Sequence, residues 1–259
     1  MHCGNTNCHI IILNQRYFIY LSYDGSNYHG WQIQPNGNSV QAELQHALSI
    51  LLKDKIEIVG AGRTDAGVHA KLMVAHFDAA QSFDPVQLSY RLNRILPKDI
   101  SIDHIIHVSD AMHARFSATS RTYHYYIHTR KDPFLWQYSC PIHYQLDFEL
   151  MNKAAQILTT CQDFAAFCKS HTDVKTTICQ LTEAHWDKLG EGRYQFVITA
   201  NRFLRNMVRA VVGTLIDVGR HKITLADFQQ IIESRKRTSA GESMPGNALF
   251  LWHVGYDQI

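Results

Sequence analysis

Two stretches of this sequence run through the same order of hydrophobic periodicities, and that order restricts the fold more than any single residue does. In 16–23, Tyr17, Ile19, Leu21 and Tyr23 alternate with the opposite face, the period of a half-buried strand. Asp24-Gly25-Ser26 closes it as a turn. Asn38 reads as a helix cap with Gln41 in capping-box position, and Val40, Leu44, Ala47, Leu48 and Leu51 recur at helical spacing over about 39–53. Short strand-like runs at 56–59 and 73–78 bracket a glycine-punctuated loop. Asp84-Pro85 opens a second helix through Val86, Leu88, Leu92 and Ile95, and 100–108 is again β-rich.

The second stretch repeats the order. Tyr123, Tyr125 and Ile127 alternate in 121–129, and Asp147 caps a helix carrying Leu150, Met151, Ala154, Ile157 and Leu158. The runs 176–187 and 193–200 read as a hairpin turning at Gly190-Glu191-Gly192. Residues 204–218 read as a helix ended by Gly219 at C′, Thr224 with Asp227 opens one more short helix, and 248–256 is a last strand. The order β-α-β-β-α-β, twice, is the ferredoxin-like order. It predicts an α+β protein of two such halves with mostly antiparallel sheets and a central cleft. The expected division is a tail at 1–15, a first domain at 16–110 and a second at 111–259.

Composition removes several classes. In 259 residues with 46% hydrophobic and 19% charged content, the chain is neither disordered nor fibrous. The longest early apolar run, Ile10-Ile11-Ile12-Leu13, is too short to span a bilayer and has neither flank of a secretory signal. Six cysteines are too few for a disulfide scaffold, so reduced thiols and a cytoplasmic location are expected. His2-Cys3 and Cys8-His9 carry the residue types of a Cys2His2 metal site, but terminal position argues for a tail without metal. The net charge is only +2. Cations nevertheless concentrate: 201–237 holds eight Lys/Arg against three acids, and 114–131 holds four and none. Such clusters suit a phosphate backbone.

The strongest local signal is Gly60-Ala61-Gly62-Arg63-Thr64-Asp65-Ala66-Gly67-Val68-His69. Its glycines allow close approach of backbone to a ligand. Arg63 and Asp65, two apart, would point the same way from an extended chain, a guanidinium and a carboxylate toward one pocket. A carboxylate there can be a nucleophile or a general base. Taken alone, these residues favour a surface loop with a structural ion pair, since such pairs are common and individually weak.

The loop resembles the signature of the tRNA pseudouridine synthase A (TruA) family. Tyr23-Asp24-Gly25 with Tyr28-His29-Gly30-Trp31-Gln32 is similar to that family's opening motif, and Asn38-Ser39-Val40-Gln41-Ala42-Glu43-Leu44-Gln45 to its first helix. His113-Ala114-Arg115-Phe116-Ser117-Ala118, Arg121-Thr122-Tyr123-His124-Tyr125, Phe203-Leu204-Arg205-Asn206-Met207-Val208-Arg209 and Ala248-Leu249-Phe250-Leu251 follow in family order. The resemblance implies the pseudouridine synthase fold. It also implies an isomerase that detaches uracil from C1′ in the anticodon arm of tRNA, at positions 38 to 40, and rejoins it through C5. No metal or cofactor is required, and a homodimer is implied.

Carried over residue by residue, Asp65 is the catalytic carboxylate; attack on C1′, attack on the base and proton abstraction all stay open. Arg63 is similar to the arginine that fills the space of the everted base and pairs with the aspartate. Tyr123 matches the tyrosine that stacks on the target base. Arg205 and Arg209, read as i and i+4 on one helix, would contact phosphate and support Asp65. Leu249 matches an apolar residue beside the base. The chemistry asks nothing of His69, His113 and His124, which read as structural or RNA-contacting, and Trp31 reads as core. The competing readings are a non-catalytic RNA-binding protein on the same fold, which would have no need of Asp65, and a hydrolase, which would need a second carboxylate or a His cluster by the loop.

Overall fold

The computed structural model describes residues 14–35, 37–169, 175–257 and 259. The tail and its His2-Cys3 and Cys8-His9 pairs lie outside the described residues, apart from Asn14 and Gln15.

In the first half the elements are β1 (Gln15–Tyr23), α1 (Val40–Leu52), β2 (Ile58–Gly60), β3 (His69–Ala79), α2 (Pro85–Ile95) and β4 (Ile100–Val108). In the second they are β5 (Ser120–His128), β6 (Cys140–Pro141), α3 (Phe148–Thr160), β7 (Leu181–Gly190), β8 (Arg193–Ala200), α4 (Met207–Gly219), α5 (Leu225–Ser234) and β9 (Leu249–Gly255). All the principal strands join one sheet in the order β4-β1-β3-β9-β5-β8-β7, with β2 on β3 and the two-residue β6 on β5. The pairings are antiparallel except β3 with β9 and β5 with β6. β1 sits between β4 and β3, and β5 between β9 and β8, so the spatial order of first, third and fourth strands recurs in both halves.

One edge of β3 is shared. β2 occupies its later residues, with Ile58 opposite Phe77, and β9 its first two, with His69 opposite Phe250. The connection 61–68 leaves the sheet where β2 ends and re-enters beside β9. The inward faces feed two hydrophobic clusters. Ile19, Leu21 and Met73 pack with Leu44, Leu48 and Leu92, and Tyr125, Phe196 and Ile198 pack with Met151, Leu158 and Val211. Tyr123 packs against both clusters. Trp31 lies in the first, as the sequence suggests.

Asp84, Asp147 and the Thr224–Asp227 box cap their helices as expected. The first helix differs. Ser39, not Asn38, is its N-cap, accepting from Ala42 N at 3.3 Å. The Asn38 amide instead donates to Asn27 O at 2.5 Å, and Gln41 reaches Ile33 N and Ile58 O. The preceding loop takes the Asn38 side chain, and Gln41 bridges that loop to the start of β2. Residues 175–179 do not lengthen the β7–β8 hairpin; they pair back on 162–164, through Phe164 N to Thr177 O at 3.1 Å and Cys179 N to Gln162 O at 2.9 Å. Helix α4 begins at Met207 because Asn206 adopts φ 66°, and Gly219 is its last residue rather than C′. Gly219 is small because the Met151 thioether occupies the place a Cβ would take. The left-handed turn falls at His221, φ 57°.

Gly213, inside α4, lets the strap 240–248 cross the helix. A Cβ there would overlap Glu242 O, and Gly241 N donates to Thr214 Oγ1 beside it at 2.9 Å. Gly213→Ala is expected to cost roughly 1–3 kcal/mol, a drop of several degrees in the midpoint of thermal unfolding.

His76, on β3, accepts Ala114 N at Nδ1, 3.2 Å, and its ring is buried against His113. Burial first, then His113 and Arg16, pull its pKa from 6.5 to about 4, with Asp78 opposing. The native protein therefore binds fewer protons than the unfolded chain between these values. The contribution of His76 to stability is full above about pH 6.5 and is lost as pH falls through about 4. The urea midpoint should fall across that window, and His76→Gln should flatten the fall.

Candidate active site

Residues 61–68 are held by the segment that precedes α1. Trp31 N donates to Thr64 O at 3.3 Å and Gly67 N to Tyr28 O at 3.3 Å. Gly30 runs at φ +100°, where an L side chain is strained and would strike Thr64 O. Thr64 is buried, its hydroxyl 2.9 Å from that of Tyr23. Fixing Thr64 inward turns its neighbours Arg63 and Asp65 outward, Arg63 into solvent and Asp65 partly covered.

The partner of Asp65 comes from the other half. Arg209, in the first turn of α4, places Nη1 at 3.3 Å from Asp65 Oδ2. Its Nε donates to Met244 O at 2.5 Å, and its backbone carbonyl accepts Met244 N at 3.1 Å. One guanidinium thus spans the carboxylate and the strap. The strap is fixed further along: Tyr125 donates to Pro245 O at 3.0 Å, and His69 Nε2 meets Asn247 O at 2.9 Å. His69 is buried, its Nδ1 3.0 Å from both Gly25 N and the Asp24 carboxylate; burial holds its pKa below the usual imidazole value against the opposing pull of Asn247 O and Asp24. It is structural.

Arg63 does not pair with Asp65. Among the described residues it makes no ion pair, because Thr64 rather than a pleated strand sets the direction of both neighbours. Arg205 does not share a face with Arg209: it precedes α4, and the left-handed Asn206 turns the chain between them. It is exposed, and its carbonyl accepts Lys169 N at 3.0 Å. Tyr123 lies inward on β5, its ring edge-on to Phe203 at 5.1 Å. Burial chiefly, with the charge of Asp65, pushes its phenol up to about 12 against the pull of Arg121, so it stays neutral. Leu249 opens β9 opposite Tyr125 and is buried in the second cluster.

Arg121 was overlooked as a site residue. Its Nη1 donates to Ala118 O and Asn201 O at 2.9 and 2.8 Å, and its Nη2 to Ala61 O and Arg115 O at 3.0 and 2.6 Å. It ties the base of the Asp65 loop to both halves. The signal was present: it shares the inward alternation of Tyr123 and Tyr125, where an unpaired arginine has no place.

His113 Nδ1 caps the next turn, accepting Arg115 N at 3.1 Å, and His124 stacks on Trp252 at 4.2 Å. Within 201–237, Arg209, Lys222 and Arg235 are paired with Asp65, Asp217 and Asp163. Arg237 serves carbonyls, and Arg220 lies over the Tyr144 ring at 3.6 Å. Arg115, Lys131, Arg202, Arg205 and Lys236, like Arg63, make no ion pair among the described residues, a smaller free cationic set than the sequence suggests. Burial raises the thiols of Cys140, Cys161, Cys168 and Cys179, the last to about 11, which leaves them unreactive. No helix among the described residues is long and apolar enough to cross a membrane.

A family profile described as tRNA pseudouridine synthase matches residues 19–117 and 154–257. The chain is 56% identical over 246 residues to tRNA pseudouridine synthase A of Bacteroides thetaiotaomicron, covering 94% of this chain and 91% of that one. It is 51% identical over 244 residues to that of Porphyromonas gingivalis (93% and 97% covered), and 40% over 241 to that of Bacillus subtilis (92% and 97%).

Proposed function

The chain belongs to the tRNA pseudouridine synthase family, enzymes that isomerise uridine in tRNA, and on that premise we propose that the reaction is carried by Asp65 on uridines 38 to 40 of the anticodon arm. The reaction breaks the N1–C1′ bond, forms C5–C1′, moves the C5 proton to solvent and protonates N1, with no net redox change. Its atoms lie inside a nucleotide, so the target must be everted, which costs least in a loop or at its stem junction. That supports the anticodon arm.

The single observation that carries the site is the 3.3 Å contact of Asp65 with Arg209, a carboxylate from one half meeting a guanidinium from the first turn of a helix in the other. Arg209 orients the carboxylate, and Tyr123 stacks on the uracil, a contact worth about 1–3 kcal/mol. Leu249 backs the pocket with apolar surface. Exposed and without an ion pair among the described residues, Arg63 can enter the space the everted base vacates, and Arg205 can meet phosphate. Each half is read as a ferredoxin-like unit, divided near 110, on the strength of the shared strand order. The enzyme acts in the cytoplasm as a homodimer whose second copy steadies the tRNA body. Tritium release from tRNA labelled at uridine C5, followed by mapping of the product, tests the reading. Release without product at 38 to 40 would move the target, and absence of release would remove the activity.

A further inference from the structure

The connection from β5 to β6 ends in a turn with an unusual surface. Phe134 is 88% exposed and Trp136 68%, while Leu135 between them is turned in. The turn is rigid. Asp132 Oδ1 accepts Phe134 N at 2.8 Å, Leu135 N donates to Asp132 O at 3.3 Å, and Tyr138 N to Leu135 O at 3.1 Å. Pro133 restricts it further.

Its anchors all run toward the candidate site. Asn247 Nδ2 donates to Trp136 O at 3.1 Å and Gln137 O at 3.3 Å. Asn247 itself follows Gly246, which packs on the carbonyl of Ala66 in the Asp65 loop. From the other side the Tyr138 hydroxyl donates to Asp24 Oδ2 at 2.7 Å. The backbone that carries the two exposed rings is therefore held relative to the Asp65 loop through a single intervening strap. Lys131, exposed and unpaired among the described residues, precedes them.

We propose that this turn is a stacking platform for unpaired bases of the substrate RNA beside the Asp65 loop. The inference rests on the reading of Asp65 as the reacting centre. Exposed aromatic rings on an anchored turn, with a cation next to them in the chain, are what sequence-tolerant base stacking requires. A second copy of the chain is the poorer fit, because two rings bury at most about 500 Å² against the roughly 1,200–2,000 Å² of a stable protein interface.

The test is affinity for an unmodified tRNA transcript. Trp136→Ala and Phe134→Ala should each weaken binding about tenfold, and the double variant more. Trp136→Phe should restore most of the loss. The slope of log K against log salt should not change, because no phosphate contact is removed. Thermal unfolding should match the parent, since both rings lie in solvent. Parent-like affinity in the double variant would overturn the proposal. So would a double variant whose sedimentation mass changes while its affinity per protomer holds, which would make the turn a contact between copies. The two readings fail separately: Asp65→Asn reports on chemistry at unchanged binding, and the platform variants report on binding at saturable chemistry.

Discussion

Asp65→Asn should reduce single-turnover isomerisation by about 10⁴- to 10⁶-fold, the loss seen when a central catalytic group is removed from an otherwise intact site. The substitution keeps the volume and deletes only the charge and the reactive oxygen. Folding should be nearly unchanged. The loop is positioned by Thr64, Trp31, Tyr28 and Arg121, none of which bonds the Asp65 side chain. Affinity for tRNA should also hold, because binding draws on the free cations elsewhere. Tritium release and a filter-binding isotherm on the same preparation separate the two quantities. A variant that turns over near the parental rate would make the loop structural and the assignment of Asp65 wrong.

Arg209→Ala should lower the single-turnover rate by roughly 100- to 1,000-fold, with a smaller effect on affinity. The side chain is committed to Asp65 and Met244 O, so little of it is left for phosphate. Its loss frees both the carboxylate and the strap. Arg209→Lys should recover little, because one ammonium cannot reproduce a fork that reaches a carbonyl and a carboxylate together. Combined with Asp65→Asn, the loss should be far less than the product of the two, since the groups act as one unit. Independent, multiplying losses would mean that Arg209 acts somewhere other than on Asp65.

Period and capping chemistry made most elements legible, because both are short-range. β4 runs over 100–108 as its β-rich composition indicates, and Asp84 and Asp147 cap where they should. The errors are also local in character. Asn38 and Ser39 both suit a cap, and only the demand of the preceding loop on the Asn38 amide decides between them. Nothing in the composition of Leu204-Arg205-Asn206 announces that Asn206 is left-handed, so the helix was begun too early. At the site, spacing drew attention to Arg63, two residues from Asp65. The arginine that Asp65 meets is 144 residues away, brought in by a parallel strand pairing that no periodicity encodes. Tyr123 and Leu249 are ordinary inward strand residues by pattern, and family likeness alone singled them out.

The join between β3 and β9 has a consequence for biosynthesis. β9 is the last strand in chain order, yet it completes the edge of a strand in the first half and carries in the strap that braces the Asp65 loop. While the chain emerges from the ribosome, the first half waits with the leading end of β3 unpaired. An open strand edge of that kind invites wrong partners until it is covered. The reacting carboxylate therefore has its braced arginine only after the strap and β9 have been made. A nascent fragment that stops short of β9 should bind no substrate productively, however well its own domain has folded.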